Sequence, residues 1–156
     1  MLFSDRRDAA RTLGWRLAHL RLDHPVVAGI EPDGLPIARE VAAVLGTPVT
    51  PLPALPDREV LRRFAGRTVV VVGESLTSAS RARSACRVVR GAGATSVVLA
   101  VPAASFVFAE LAAYDADRIV VLESRPWFRS IDEVYLPSAA AVDGSCAGAP
   151  QHASQR

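Results

Sequence analysis

Residues Arg67 to Arg83 spell RTVVVVGESLTSASRAR. Four consecutive valines, Val69 to Val72, make an unbroken β-branched run, the pattern of a strand covered on both faces, and so predict a central parallel strand. Gly73 ends it. Glu74 and a series of small hydroxyl residues (Ser75, Thr77, Ser78, Ser80) follow, and Arg81 and Arg83 enter a helical pattern. In an open α/β sheet, a strand that runs through a small polar loop into a helix N-terminus offers free backbone N–H groups and the positive end of the helix dipole, which suits phosphate. An ordinary polar strand-to-helix turn has the same composition, so this stretch alone leaves both readings open.

On the N-terminal side, Asp5 is placed to cap a helix running to about Leu20, with Ala10, Leu13, Leu17 and Leu20 as its buried stripe. Arg6, Arg7, Arg11 and Arg16 fall off that stripe and read as a solvated face. Val26 to Ile30 predicts a short buried strand. The loop Glu31-Pro32-Asp33-Gly34 leads into a helix over Leu35 to Leu45, which Gly46 ends. Pro48 to Leu52 is extended, the three prolines between Pro51 and Pro56 mark a connection, and Asp57 caps a brief helix through Phe64.

Beyond the valine strand, Ala79 to Arg90 predicts a helix that buries Ala82, Ala85, Cys86 and Val89, so Cys86 reads as a core residue. A strand at Val97 to Val101, a helix from Ser105 to Tyr114 and a strand at Arg118 to Leu122 complete the alternation. From Pro137 on, small polar residues dominate, giving one α/β domain over 1–136 and a disordered tail over 137–156. Strands alternating with helices imply a three-layer, Rossmann-like, mainly parallel sheet. If its order is 2-1-3-4-5, the switch point lies between the strands at Val26 and Val69, and the Glu31–Gly34 and Glu74–Ser80 loops face one crevice.

Composition narrows the function. The 156 residues are 50% apolar and 22% charged, with a formal net charge of +2. That small charge is spread along the chain with few aromatics, which argues against a nucleic-acid or membrane surface. All 18 basic residues are arginine. Without lysine there is neither Schiff-base chemistry nor the lysine-containing loop of nucleoside triphosphatases. Cys86 and Cys146 have no motif spacing, no metal-ligand pattern is visible, and the charged N-terminus lacks the apolar stretch of a signal peptide. A cytoplasmic protein is expected.

Taken together, these residues resemble the type I phosphoribosyltransferases, above all a bacterial branch whose chains open with a phrase similar to FSDRRDAARTL and carry a loop like GLPIAREVA. The resemblance runs from Phe3 to about Tyr135. It implies that VVVVGESLTSAS occupies the place of the family's ribose and 5′-phosphate loop, with Glu74, Ser75, Thr77, Ser78, Ala79, Ser80 and Arg81 as its ribose- and phosphate-binding residues. Asp33 and Gly34 correspond to the pyrophosphate loop, and Trp127 or Phe128, within Pro126-Trp127-Phe128, to the base-stacking position. An active member would use Mg²⁺. The resemblance also implies a small phosphorylated ligand from nucleotide metabolism and, for a site without a lid, a covering partner chain in a homodimer.

The departures fall on the positions that do the family's chemistry. Gly73 stands where the first of two paired acids is found, which leaves Glu74 alone. Whether Ser78-Ala79 or Thr77-Ser78-Ala79-Ser80 stands for the Thr-Gly-x-Thr loop, its glycine is gone. Glu31 and Asp33 bring two carboxylates to the pyrophosphate side, each repelling that anion by roughly 1 to 4 kcal/mol at surface dielectrics. Between the second helix and the valine strand only Pro51 to Gly66 is available for the family's hood. The expectation is a binding or regulatory pseudoenzyme with a residual phosphate or ribose-phosphate site and weak or lost transfer activity. The alternative is an active phosphoribosyltransferase that moves phosphoribose to a purine or pyrimidine.

Overall fold

The computed structural model describes residues 3–76, 79–128 and 130–136, apart from the side chains of Leu76 and Ile131. The tail expected over 137–156 lies outside these residues. Five helices, α1 (Arg6–Ala18), α2 (Gly34–Leu45), α3 (Arg58–Arg62), α4 (Ala79–Gly91) and α5 (Phe106–Ala112), enclose strands β1 (Val26–Ile30), β2 (Val49–Leu52), β3 (Thr68–Val72), β4 (Ser75–Leu76), β5 (Ser96–Ser105) and β6 (Arg118–Arg125). All pairings between these strands are parallel. The order is β2-β1-β3-β5-β6, with the two-residue β4 continuing on the β3 side of β5. Counting the five longer strands alone, this is the 2-1-3-4-5 order, and β1 and β3 are neighbours at the switch point.

The valines explain the layers. Side chains alternate across a strand, so Val70 and Val72 enter one core with Val27, Val98 and Ala100 beneath α1 and α2, while Val69 and Val71 enter the other with Val97, Leu99 and Val101 against α4. All four valines are fully covered. Each contributes about 1.5 to 3 kcal/mol of burial. Cys86 is likewise buried, and burial pushes its thiol up to about 12, which makes it a packing residue.

Local chemistry sets the helix starts as expected. Asp5 accepts from the Asp8 N–H at 2.8 Å and Asp57 from the Val60 N–H at 2.9 Å. Two features differ from expectation. β5 runs to Ser105, past Pro102, because Pro102 lies opposite a break in its neighbour: β3 pairing ends at Val72–Ala100 and β4 pairing starts at Ser75–Ala103. No N–H is needed in that gap. By the same pairing, Ser75 and Leu76, expected as loop, form β4.

A short 3₁₀ turn, η1 (Ile131–Val134), brings the far end of the described chain back to its start. The Phe3 N–H donates to Val134 O at 2.7 Å, the Leu136 N–H donates to Phe3 O at 2.7 Å, and the Phe3 and Tyr135 rings lie 6.3 Å apart. On the opposite layer, the turn after α5 is clamped to α4. Arg83 and Arg87 donate to Asp115 at 2.7 and 3.0 Å, and Arg90 donates to Asp117 at 3.0 Å. The Arg83 bond foremost, then that of Arg87, holds the Asp115 carboxyl below its ordinary range.

A depressed carboxyl stabilises the folded chain fully above its unfolded value, about 3.9, and the contribution fades as pH falls through the folded one. Asp115→Asn should therefore cost about 1 kcal/mol at neutral pH, with the gap to the unmodified chain closing below about pH 4. Urea titrations at stepped pH check this, and a gap constant down to pH 2 contradicts it.

Candidate functional site

The loops after β1 and β3 share the C-terminal rim of the sheet. The Arg81 guanidinium, from the first turns of α4, donates to the Glu31 carbonyl and ties the two loops together. Gly34 packs so closely on the end of β3 that a Cβ there would meet Val72 O at 2.5 Å and the Gly73 Cα at 3.0 Å. A glycine that the resemblance assigns to a ligand loop thus also has a packing reason to be glycine. Asp33 sits at the N-cap of α2 without a side-chain capping bond. Its carboxylate is left to act on the crevice.

Glu74 is the centre of the arrangement. Its side chain is only 16% exposed and pairs with Arg6 of α1 at 2.9 Å. Burial pushes its carboxyl up from the ordinary glutamate value, Arg6 opposes that, and Asp33 and Asp132 add to it. Tyr135 lies in the same cluster. Its hydroxyl is buried without a hydrogen-bond partner among the described residues although the Arg6 guanidinium is close, and burial followed by the Glu74 charge raises it to about 12. Arg6, read from sequence as part of a solvated face, therefore belongs to the Glu74 cluster. Arg7 and Arg11 make looser pairs with Glu40 at 3.4 and 3.8 Å.

The remaining sequence candidates are distributed along the rim. Ser75 pairs with Ala103 in β4, Ala79 is buried at the start of α4, and Ser80 is exposed beside it. Thr77 and Ser78 lie outside the described residues. Arg83, two residues beyond Arg81 in α4, is engaged with Asp115 on the α5 side. After β6, Trp127 is 61% exposed, whereas Phe128 packs on the α1-side core with the Arg125 guanidinium 5.2 Å over its ring. Between α2 and β3 there is only β2, α3 and their turns. Among the described residues no three histidine, cysteine, aspartate or glutamate side chains converge as a metal site, and Glu74 is already paired.

Local pattern gave no sign of Arg6, Asp132 or Tyr135. Arg6 lies at the first position of a surface helix, and the other two fall in a segment without periodicity. Only the closure of Phe3 on Tyr135 brings them to Glu74.

No protein-family model matches the chain. A Mycobacterium tuberculosis protein provisionally named a phosphoribosyl transferase is 29% identical over an alignment of 191 positions that takes in 86% of this chain and 43% of the relative. The chain thus spans less than half the length of that relative, and an alignment longer than the chain itself means the relative carries segments missing here. Among solved structures, TT1426 from Thermus thermophilus superposes with a TM-score of 0.74 at 24% identity, over 92% of this chain and 97% of that one. The purine phosphoribosyltransferase of Pyrococcus horikoshii gives 0.58 at 19%, over 78% and 85%. The Giardia lamblia APRTase, solved with 9-deazaadenine, gives 0.63 at 21%, over 76% and 79%.

The chain thus has the α/β fold seen in phosphoribosyltransferases. Between α2 and β3 it has β2 and α3 alone, and Glu74 follows Gly73 at the end of β3. Among the described residues no helix is long and apolar enough to cross a membrane.

Proposed function

We propose that the chain is a phosphoribosyltransferase-like binding or regulatory protein with a residual site for phosphate or ribose phosphate and weak or lost transfer activity. The observation that carries this reading is the state of Glu74. It is the single acid beside Gly73, its carboxylate is paired with Arg6, and burial with Asp33 and Asp132 favours its neutral form. A hydroxyl acceptor survives, but only one of the two expected. Glu31 and Asp33 oppose a pyrophosphate leaving group, and the short β2–α3 connection offers little to exclude water from a reacting ligand.

The active-transferase reading has one observation in its favour, the Arg81–Glu31 tie that sets both loops in one crevice. In that reading Glu74 holds the ribose, Ser78 and Ser80 the phosphate, Trp127 or Phe128 the base, and Mg²⁺ arrives with phosphoribosyl pyrophosphate. Calorimetric titration separates the two. Ribose 5-phosphate should bind weakly, near millimolar or about 4 kcal/mol, and Ser80→Asp should abolish binding by placing a carboxylate at the anion site. Transfer to a purine or pyrimidine at roughly 1 to 1,000 per second overturns the first reading in favour of the second.

A further inference from the structure

We propose that Arg6 is the positioning residue of this crevice: paired with Glu74 at 2.9 Å and close beside the buried Tyr135 hydroxyl, it aims the remaining acid as an acceptor for a sugar hydroxyl. The inference rests on the ribose-phosphate reading of the site. Arg6 is placed by the start of the chain's fold, not by either rim loop. Asp5 caps α1, the Ser4 N–H donates to the Asp8 carboxylate at 3.0 Å, and Phe3 is bonded on both sides to the segment that carries Tyr135. These bonds determine where the first residue of α1 can reach.

The charges around Glu74 make that placement consequential. Among the described residues, the groups bearing on it are Arg6 from α1, Asp33 from the turn before α2, Asp132 from η1, and Tyr135 just after η1. Of these only Arg6 is a cation. Burial, Asp33 and Asp132 all favour the neutral acid, and Arg6 opposes them. A neutral Glu74 would lose the charge-assisted bond that a carboxylate forms with a hydroxyl. The Arg6 side chain remains 59% exposed, so guanidinium donors are left over for a phosphate oxygen on the same ligand.

The test uses the full chain with Arg6→Gln and Arg6→Lys, each checked for folding by circular dichroism. Carboxyl ¹³C resonances follow the titration of Glu74 without any ligand, and calorimetry follows ribose 5-phosphate binding across pH. In Arg6→Gln the Glu74 midpoint should move up. Binding should weaken about tenfold on the acid side and recover as pH rises and Glu74 ionises, with Arg6→Lys restoring most of the profile. An unchanged Glu74 midpoint in folded Arg6→Gln overturns the proposal, as does a moved midpoint with an unmoved binding profile. Failure of the unmodified chain to bind ribose 5-phosphate at any pH instead overturns the parent reading, and the sugar-hydroxyl role with it.

Discussion

Gly34→Val should lower the stability of the chain by about 3 kcal/mol or more, enough to consume a large part of a typical domain's stability. The added Cβ would fall 2.5 Å from Val72 O and 3.0 Å from the Gly73 Cα. Both are backbone atoms of the central strand and its exit. Neither can swing aside as a flexible side chain would, so either α2 lifts from the sheet or β3 bends, and either movement opens the core in which Val70 and Val72 meet Ile37 and Val41. Gly66→Ala supplies the contrast. Nothing lies within 4 Å of its Cβ and only its φ of +71° opposes the change, so about 1 kcal/mol is expected. Urea denaturation of both variants measures the difference, and a loss at Gly34 no larger than at Gly66 would show that the α2–β3 approach is adjustable.

The largest gain in binding is expected from Gly73→Asp combined with Asp33→Gly. A Cβ at position 73 meets Val101 Cγ1 at 3.4 Å and Ile30 Cδ1 at 3.6 Å, ordinary van der Waals distances, so the backbone there accepts a side chain beside Glu74. Asp33 makes no capping bond, and glycine is well tolerated at an N-cap. Removing Asp33 takes a carboxylate away from both the expected pyrophosphate position and Glu74. The double variant should bind phosphoribosyl pyrophosphate with Mg²⁺ about tenfold more tightly or better, the value of one restored hydrogen bond to a charged group. Calorimetry against the unmodified chain reads this directly. A folded double variant with unchanged affinity would mean that these two loops do not hold the ribose and pyrophosphate.

Much of this architecture was legible because it depends on local pattern. The β-branched runs at Val26, Val69 and Val97 can hardly be anything but covered strands, and Asp5 and Asp57 cap the helices they precede. The shared rim of the Glu31 and Glu74 loops was legible one step further on, since it follows once β1 and β3 are neighbours. What sequence could not carry depends on distant partners. β5 passes Pro102 only because β3 has ended and β4 has not begun, and Ser75 becomes strand only because Ala103 is beside it. Arg6 is indistinguishable from Arg7 and Arg11 by helical position, and only packing between the start of the chain and residues after Phe128 selects it. The acid was therefore visible, and the group that governs it was not.

The bonding of Phe3 to Val134 and Leu136 also sets an order of events during synthesis. Arg6 leaves the ribosome well before Tyr135, and the wall the two form can close only after the chain between them has emerged. Until then, β1, β2 and β3 can pair while Glu74 stands open to water on that side. A nascent chain halted before Tyr135 would carry the sheet's switch point and both rim loops but lack one wall of the crevice, so the sheet and its candidate site mature at different times.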